Sequence, residues 1–159
     1  MVHKPVKLIG LIFLMITMGF VFNACDTETP EQRAEKDRKK IIEYLKENDL
    51  YDKAEEDASG VFYVIEKEGS GNFPNSNSIV KASYTGYLLD GEMFDTRFES
   101  TMRLSNQIRG MQIGLTFFQR GSEGWILIPS ALGYGEYGTV GIPRNANLAF
   151  EVEMIDFGQ

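Results

Sequence analysis

Two tyrosines among four glycines form the segment of this sequence whose residue types most directly offer chemistry. Residues 128–143 read IPSALGYGEYGTVGIP, and within them GYGEYG has the GxGxxG spacing of dinucleotide-binding loops. Such a loop must close a strand and open a helix. Residues 139–143 are β-branched, contain glycine and end in proline, so no helix begins there. The absence of a following helix therefore disfavours a nucleotide site and leaves open what Tyr134 does in this loop.

Histidine and cysteine each occur once, as His3 and Cys25. Both precede the part of the chain that has the pattern of a folded domain. Ser-His and Cys-His nucleophile pairs need histidine, and so do histidine metal sites. The sequence therefore predicts chemistry without a histidine base and without a bound metal.

The net charge is −7, from 23 acidic and 16 basic residues. Phosphate binding needs clustered lysine and arginine. The composition therefore argues against a nucleic-acid partner.

The N-terminus has the layout of a secretory signal. His3, Lys4 and Lys7 precede an apolar run at 8–22, which is shorter than the eighteen or so residues of a membrane span. Cys25 follows the run and looks like the modified cysteine of a bacterial lipoprotein. This likeness predicts a signal peptide at 1–24 and a lipid on Cys25. Phe22 and Asn23 depart from the commonest lipobox.

Residues 25–58 are predicted to hold the lipidated cysteine, a polar tether and a charged helix. Thr29, Pro30 and Gln32 supply an N-cap, a proline at the first helical position and the partner of a capping box. The helix is expected to run to about Asn48. Its charged residues favour a solvated spacer whose last turns dock on the domain, rather than a dimerising helix, which would need sustained heptads.

Short strands with turn signals follow. Residues 80–88 alternate cleanly, Asp90-Gly91 marks a hairpin, and 125–128 and 148–154 predict two further strands. Only 108–119 has helical spacing. The predicted class is α+β: an antiparallel sheet, a half-barrel, wrapped over one short helix and preceded by the charged helix.

Four blocks in order carry a resemblance to a known family: SYTGYLLDGEMFDT (83–96), IRGMQIGL (108–115), GSEGWILIPSALGYGE (121–136) and GIPRNANLAFEVEM (141–154). Together they resemble the FKBP-type peptidyl-prolyl cis-trans isomerases over residues 59–159, in the layout of exported bacterial members. The resemblance implies an apolar pocket that accepts a proline ring. The implied catalytic residues are Tyr84, Phe94, Asp95, Ile108, Tyr134 and Phe150, and the implied substrate-binding residues are Gln107, Met111 and Ile142.

These assignments compete with simpler ones. Phe94, Ile142 and Phe150 also fit an ordinary core, whereas Asp95 is costly to bury without partners. Met111 stands where the family usually has tryptophan, and 96–103 is predicted to be a shortened loop.

The function that the resemblance implies is isomerisation of Xaa-Pro bonds without covalent chemistry or cofactor. Its expected partners are proline-containing unfolded or extracytoplasmic polypeptides, with macrolides as further ligands. The expected location is the bacterial cell envelope, lipid-anchored to a membrane and facing the periplasm or the cell surface. The alternative is a catalytically weak FKBP-like binding or chaperone module, which Met111 and the short loop favour.

Overall fold

The computed structural model describes residues 28–158, so the predicted signal peptide and Cys25 lie outside the described residues. Its helices and strands in chain order are α1 (Pro30–Glu47), β1 (Ala54–Glu56), β2 (Phe62–Lys67), β3 (Ile79–Leu88), β4 (Met93–Arg103), α2 (Arg109–Gly114), β5 (Glu123–Ile128) and β6 (Leu148–Gly158). The six strands form one sheet in the order β1-β2-β5-β6-β3-β4, and every neighbouring pair is antiparallel. The predicted α+β class is confirmed.

The capping box predicted at the start of α1 is present. Thr29 Oγ1 accepts from the backbone N–H of Gln32 at 3.2 Å, and the Gln32 side chain accepts from the Thr29 N–H at 2.9 Å. Two backbone donors that the helix would otherwise leave unpaired are thereby satisfied. The helix begins at Pro30 and ends at Glu47, within a residue of the prediction.

The last turns of α1 dock on the sheet, as predicted. Ile41, Tyr44 and Leu45 are buried in a cluster with Phe62, Val64, Leu127 and Ala149. The prediction that the charged residues of α1 are solvated is wrong for Asp37, which is fully buried. β1 precedes residue 59 and pairs with β2, so the sheet includes a strand from the segment 25–58. The domain division itself stays a prediction.

The opposite face of the sheet holds the main core. It is formed by alternate residues of β3, β5 and β6, among them Val80, Ala82, Ile126, Ile128, Phe150 and Met154. α2 packs on this face through Gly110 and Gly114, because a Cβ at either position would overlap Ile128 or Ile126. Trp125 packs toward the other face, with the cluster under α1, as its alternation with Ile126 predicts.

The prediction of a shortened loop at 96–103 is wrong. These residues continue β4, which pairs with β3 from Met93 to Arg103. The pairing register shifts between Ala82 and Tyr84, and Glu99 in this stretch has a φ of 46°. A β-bulge absorbs extra residues without ending a strand, so this segment stays part of β4. Among residues 28–158, no helix has the length and apolarity to cross a membrane.

Candidate active site

A bulge in β4 turns two consecutive side chains toward the core face of the sheet. Asp95 pairs with Gly86, but the next pair is Met93 with Tyr87, which leaves Phe94 as the extra residue. Consecutive side chains of a regular strand point to opposite faces. Here Phe94 reaches Phe150 while Asp95 reaches Tyr84. The bulge therefore lets an aromatic ring and a carboxylate share one site.

Asp95 is held between a tyrosine and an arginine. The Tyr84 hydroxyl donates to Asp95 Oδ2 at 3.0 Å, and Arg97 Nη2 lies 3.5 Å from Asp95 Oδ1. Burial, followed by the hydrogen bond to Asp95, raises the pKa of Tyr84 above its ordinary value. The carboxylate is thus oriented by a neutral donor on one side and by a cation on the other.

Three aromatic rings meet beside this carboxylate. Phe150 lies edge-on to Phe94 at 5.5 Å and to Tyr84 at 5.8 Å between ring centroids. Gly86 makes the arrangement possible, because a Cβ there would lie 2.6 Å from Phe94 Cζ and 2.9 Å from Phe150 Cε1. Edge-to-face pairs of this kind contribute about 0.5–1.5 kcal/mol beyond burial.

The start of α2 adds further apolar side chains to this cluster. Ile108 is the residue before the helix and is partly buried against the core, while Met111 is 3% exposed within it. Gln107 precedes them, and its carbonyl accepts from Gln112 Nε2 at 2.8 Å. Gln107 is partly buried.

The glycine-rich loop supplies Tyr134 and Ile142. Ile142 is buried against the core, and its backbone pairs with Thr139 through bonds of 2.9 and 3.0 Å. Tyr134 is 37% exposed. Burial, with a smaller contribution from the Asp95 carboxylate, raises the pKa of Tyr134. Its hydroxyl therefore stays protonated and can donate a hydrogen bond at neutral pH. The glycines lie in turns and no helix follows them, so the loop lacks what a nucleotide site needs.

The structure brings six of the predicted site residues into one cluster: Tyr84, Phe94, Ile108, Met111, Ile142 and Phe150. Asp95 is tied to the cluster through Tyr84. Gln107 lies just before α2, and Tyr134 lies in the glycine-rich loop. Their role in binding or catalysis stays a prediction. Within residues 28–158, no group of three or more His, Cys, Asp or Glu residues could hold a metal ion.

Comparison with known proteins identifies the family. The family model described as FKBP-type peptidyl-prolyl cis-trans isomerase matches residues 70–155, more than half of the chain. The chain belongs to this family.

FKBP-type relatives are similar over most of this chain. The isomerase FkpA of Aeromonas hydrophila is 37% identical over 142 residues, which cover 84% of this chain and 53% of the relative. FkpA of Escherichia coli is 37% identical over 103 residues, which cover 62% of this chain and 38% of the relative. The chain thus spans about half or less of these curated relatives.

Solved structures of the family share the fold. The crystal structure of Escherichia coli FkpA aligns with a TM-score of 0.68 and 30% identity, covering 80% of this chain and 62% of that one. A peptidyl-prolyl cis-trans isomerase from Pseudomonas syringae pv. tomato aligns with a TM-score of 0.69 and 28% identity, covering 84% and 99%.

Two residues that contact the candidate site were missed by sequence reasoning. Gly86 has a readable signal, because a glycine on the inner face of a clean alternating strand indicates close approach of another group. Arg97 has none, since it reaches Asp95 only through the irregular pairing of β4.

Proposed function

We propose that this chain catalyses cis-trans isomerisation of Xaa-Pro bonds in unfolded or extracytoplasmic polypeptides. The observation that supports it is the junction of Asp95 with the Tyr84, Phe94 and Phe150 rings. Aromatic edges and neutral hydroxyl donors suit a substrate that has an apolar ring and a carbonyl oxygen. A prolyl peptide bond has both.

Such a site needs no nucleophile or cofactor. The planar amide is stabilised by resonance, and rotation crosses a barrier of about 18–20 kcal/mol at which that resonance is lost. The carbonyl oxygen of the twisted bond carries less negative charge and depends less on water. An apolar surface therefore binds the twisted bond better than the planar one. A ten-thousandfold acceleration corresponds to only about 5.5 kcal/mol of differential binding.

The proposed role of each residue follows from its position in the candidate site. Phe94, Phe150, Ile108, Met111 and Ile142 would contact the prolyl ring, with Gln107 beside them at the start of α2. The Tyr134 hydroxyl would donate to the substrate carbonyl. The Asp95 carboxylate, oriented by Tyr84 and Arg97, would interact electrostatically with the twisted peptide bond of the substrate. Rapamycin-type macrolides, which the family resemblance implies, would occupy the same surface.

The deciding experiment is an isomerisation assay on a short peptide with a single Xaa-Pro bond. The wild-type protein should accelerate exchange, which takes tens to hundreds of seconds without a catalyst. Tyr134→Phe should lower kcat/KM several-fold, by about the worth of one hydrogen bond. Tyr137→Phe is the matched control, since Tyr137 lies in the same loop and is 83% exposed. No acceleration by the wild type would refute the proposed activity.

A second candidate is a binding or chaperone module that holds unfolded chains with little catalysis. Val140 favours it, because it is 99% exposed on the loop that carries Tyr134. Met111 favours it too, being narrower than the tryptophan usual in the family. Suppression of client aggregation without acceleration of the peptide would establish this second function.

We further propose that the protein is anchored in a bacterial cell envelope by lipid on Cys25 after removal of residues 1–24, facing the periplasm or the cell surface. The N-terminal layout supports this location, and the relatives named above are bacterial.

A further inference from the structure

A buried carboxylate joins α1 to the loop of the candidate active site. Asp37 is 0% exposed, and its Oδ2 accepts from the Ser130 backbone N–H at 3.0 Å and from Ser130 Oγ at 2.5 Å. Asn147 closes the arrangement: its Nδ2 donates to the Asp37 carbonyl at 3.1 Å, and its Oδ1 accepts from Ser130 N–H at 3.0 Å. Ser130 and Asn147 stand at the two ends of the glycine-rich loop.

Ser130 in turn holds the backbone on both sides of Tyr134. Its carbonyl accepts from the N–H groups of Gly133 at 3.1 Å and Gly135 at 2.9 Å, the two residues that flank Tyr134. The far side of the loop is fixed to the same turn, because Asn145 N–H donates to the Gly135 carbonyl at 2.8 Å. Two successive hydrogen bonds, from Ser130 to Asp37 and from Gly135 to Ser130, therefore connect Asp37 to the residue next to the tyrosine.

Docking of α1 on the sheet does not by itself explain why an aspartate is buried at position 37. Ile41, Tyr44 and Leu45 already bury the helix against the sheet. A buried carboxylate is costly unless it is paired, and Asp37 Oδ1 has no hydrogen-bond partner among the described residues. Arg38, the next residue, is engaged with Glu56 through bonds of 2.8 to 3.0 Å. For packing alone, an apolar residue at position 37 would cost less free energy to bury.

We propose that Asp37 is a positioning residue of the isomerase site, which fixes the loop around Tyr134 through Ser130 and Asn147. α1 is then part of the catalytic unit and not only a spacer. The proposal rests on the proposed function, since loop position affects catalysis only if Tyr134 acts on substrate. A displaced loop changes the reach of the Tyr134 hydroxyl, and misplacement by about 1 Å can cost about a hundredfold in rate.

The test compares Asp37→Ala and Asp37→Asn in the full chain, well below their melting temperatures. Asp37→Ala should lower kcat/KM for a short Xaa-Pro peptide by about tenfold or more. It should also speed hydrogen exchange of the Gly133 and Gly135 amides. Asp37→Asn should recover most of both, because its amide oxygen can still accept from Ser130. Ser130→Ala, which removes only the hydroxyl, gives a milder variant if Asp37→Ala does not fold.

Leu45→Ala is the control for stability, because Leu45 holds α1 without contacting the loop. Equal loss of activity in Leu45→Ala and Asp37→Ala would overturn the proposal, and so would unchanged glycine exchange in Asp37→Ala. The proposed function has a separate readout. An inactive wild type refutes both claims, whereas an active wild type with a fully active, folded Asp37→Ala refutes only the role of Asp37.

Discussion

The hydroxyl of Tyr84 donates to Asp95 Oδ2 at 3.0 Å, joining β3 to β4 on the face that carries the aromatic cluster. The bond orients a carboxylate at the edge of an otherwise apolar surface. Arg97 supports the second oxygen from the same strand. Removal of either partner should therefore change the orientation of the Asp95 carboxylate.

Tyr84→Phe should lower isomerase activity several-fold and the free energy of unfolding by about 0.5–1.5 kcal/mol, the net worth of one hydrogen bond. Asp95→Ala should lower activity further, because the charge itself is lost. Tyr87→Phe is the matched control, since Tyr87 lies on the same strand and packs with Trp125 on the opposite face. Peptide isomerisation and urea unfolding measure both effects. Wild-type activity in both site variants would contradict the assignment of Asp95.

Gly86→Ala should damage the site through Phe94 and Phe150. The added methyl would lie 2.6 Å from Phe94 Cζ, so the rings must move apart. We expect a loss of about 1–3 kcal/mol in stability and weaker macrolide binding. Gly158→Ala is the control, because a Cβ there meets nothing within 4 Å. Equal macrolide affinity in both variants would show that these rings do not contact the ligand.

Met111→Trp tests the departure from the usual family residue. Tryptophan offers the prolyl ring a broader and more rigid face than methionine, so macrolide affinity and isomerisation rate should rise. Met111 is only 3% exposed, so the larger ring should also cost about 1–3 kcal/mol of stability. Calorimetry measures stability and macrolide affinity, and the peptide assay measures the isomerisation rate of the same variant. A stable variant with neither gain would show that Met111 is not the pocket floor.

Alkaline pH should destabilise the fold through the site tyrosines. Burial and the Asp95 carboxylate raise the pKa values of Tyr84 and Tyr134 above 10. Below that value both the folded and unfolded forms keep the proton, and stability does not depend on these groups. Above it the unfolded chain ionises first, so stability falls as pH rises through the folded pKa. Subtracting the phenolate absorbance of Tyr84→Phe from that of the wild type during a pH titration gives the titration midpoint of Tyr84. A midpoint at or below 10 would contradict the raised pKa.

Cys25→Ala tests the proposed anchor. Wild type should fractionate with membranes, because several acyl chains bind a bilayer stably, at about 0.8 kcal/mol for each buried CH₂. The variant should appear as soluble or unprocessed protein. Immunoblots of membrane and soluble fractions measure both, with Cys25→Ser as a second variant. A fully processed Cys25→Ala protein that stays with membranes would exclude the lipid anchor.

The local patterns of the sequence determined much of this fold. The capping residues fixed the start of α1, and the alternation at 80–88 assigned Tyr84 and Gly86 to the inner face of β3. These features follow from contacts between residues near in sequence, or from the two-residue repeat of a strand. The ordered motifs identified the family for the same reason, since they are read directly from the chain.

Only the tertiary structure decided the features that depend on pairing between distant segments. Alternation in β4 would send Phe94 and Asp95 to opposite faces, and the bulge opposite β3 brings them together. The partners of Asp37 lie 93 and 110 residues away, so its charge looked like one more solvated residue of α1. A residue's type predicts the cost of burying it, but whether that cost is met depends on which groups the fold brings within hydrogen-bonding distance.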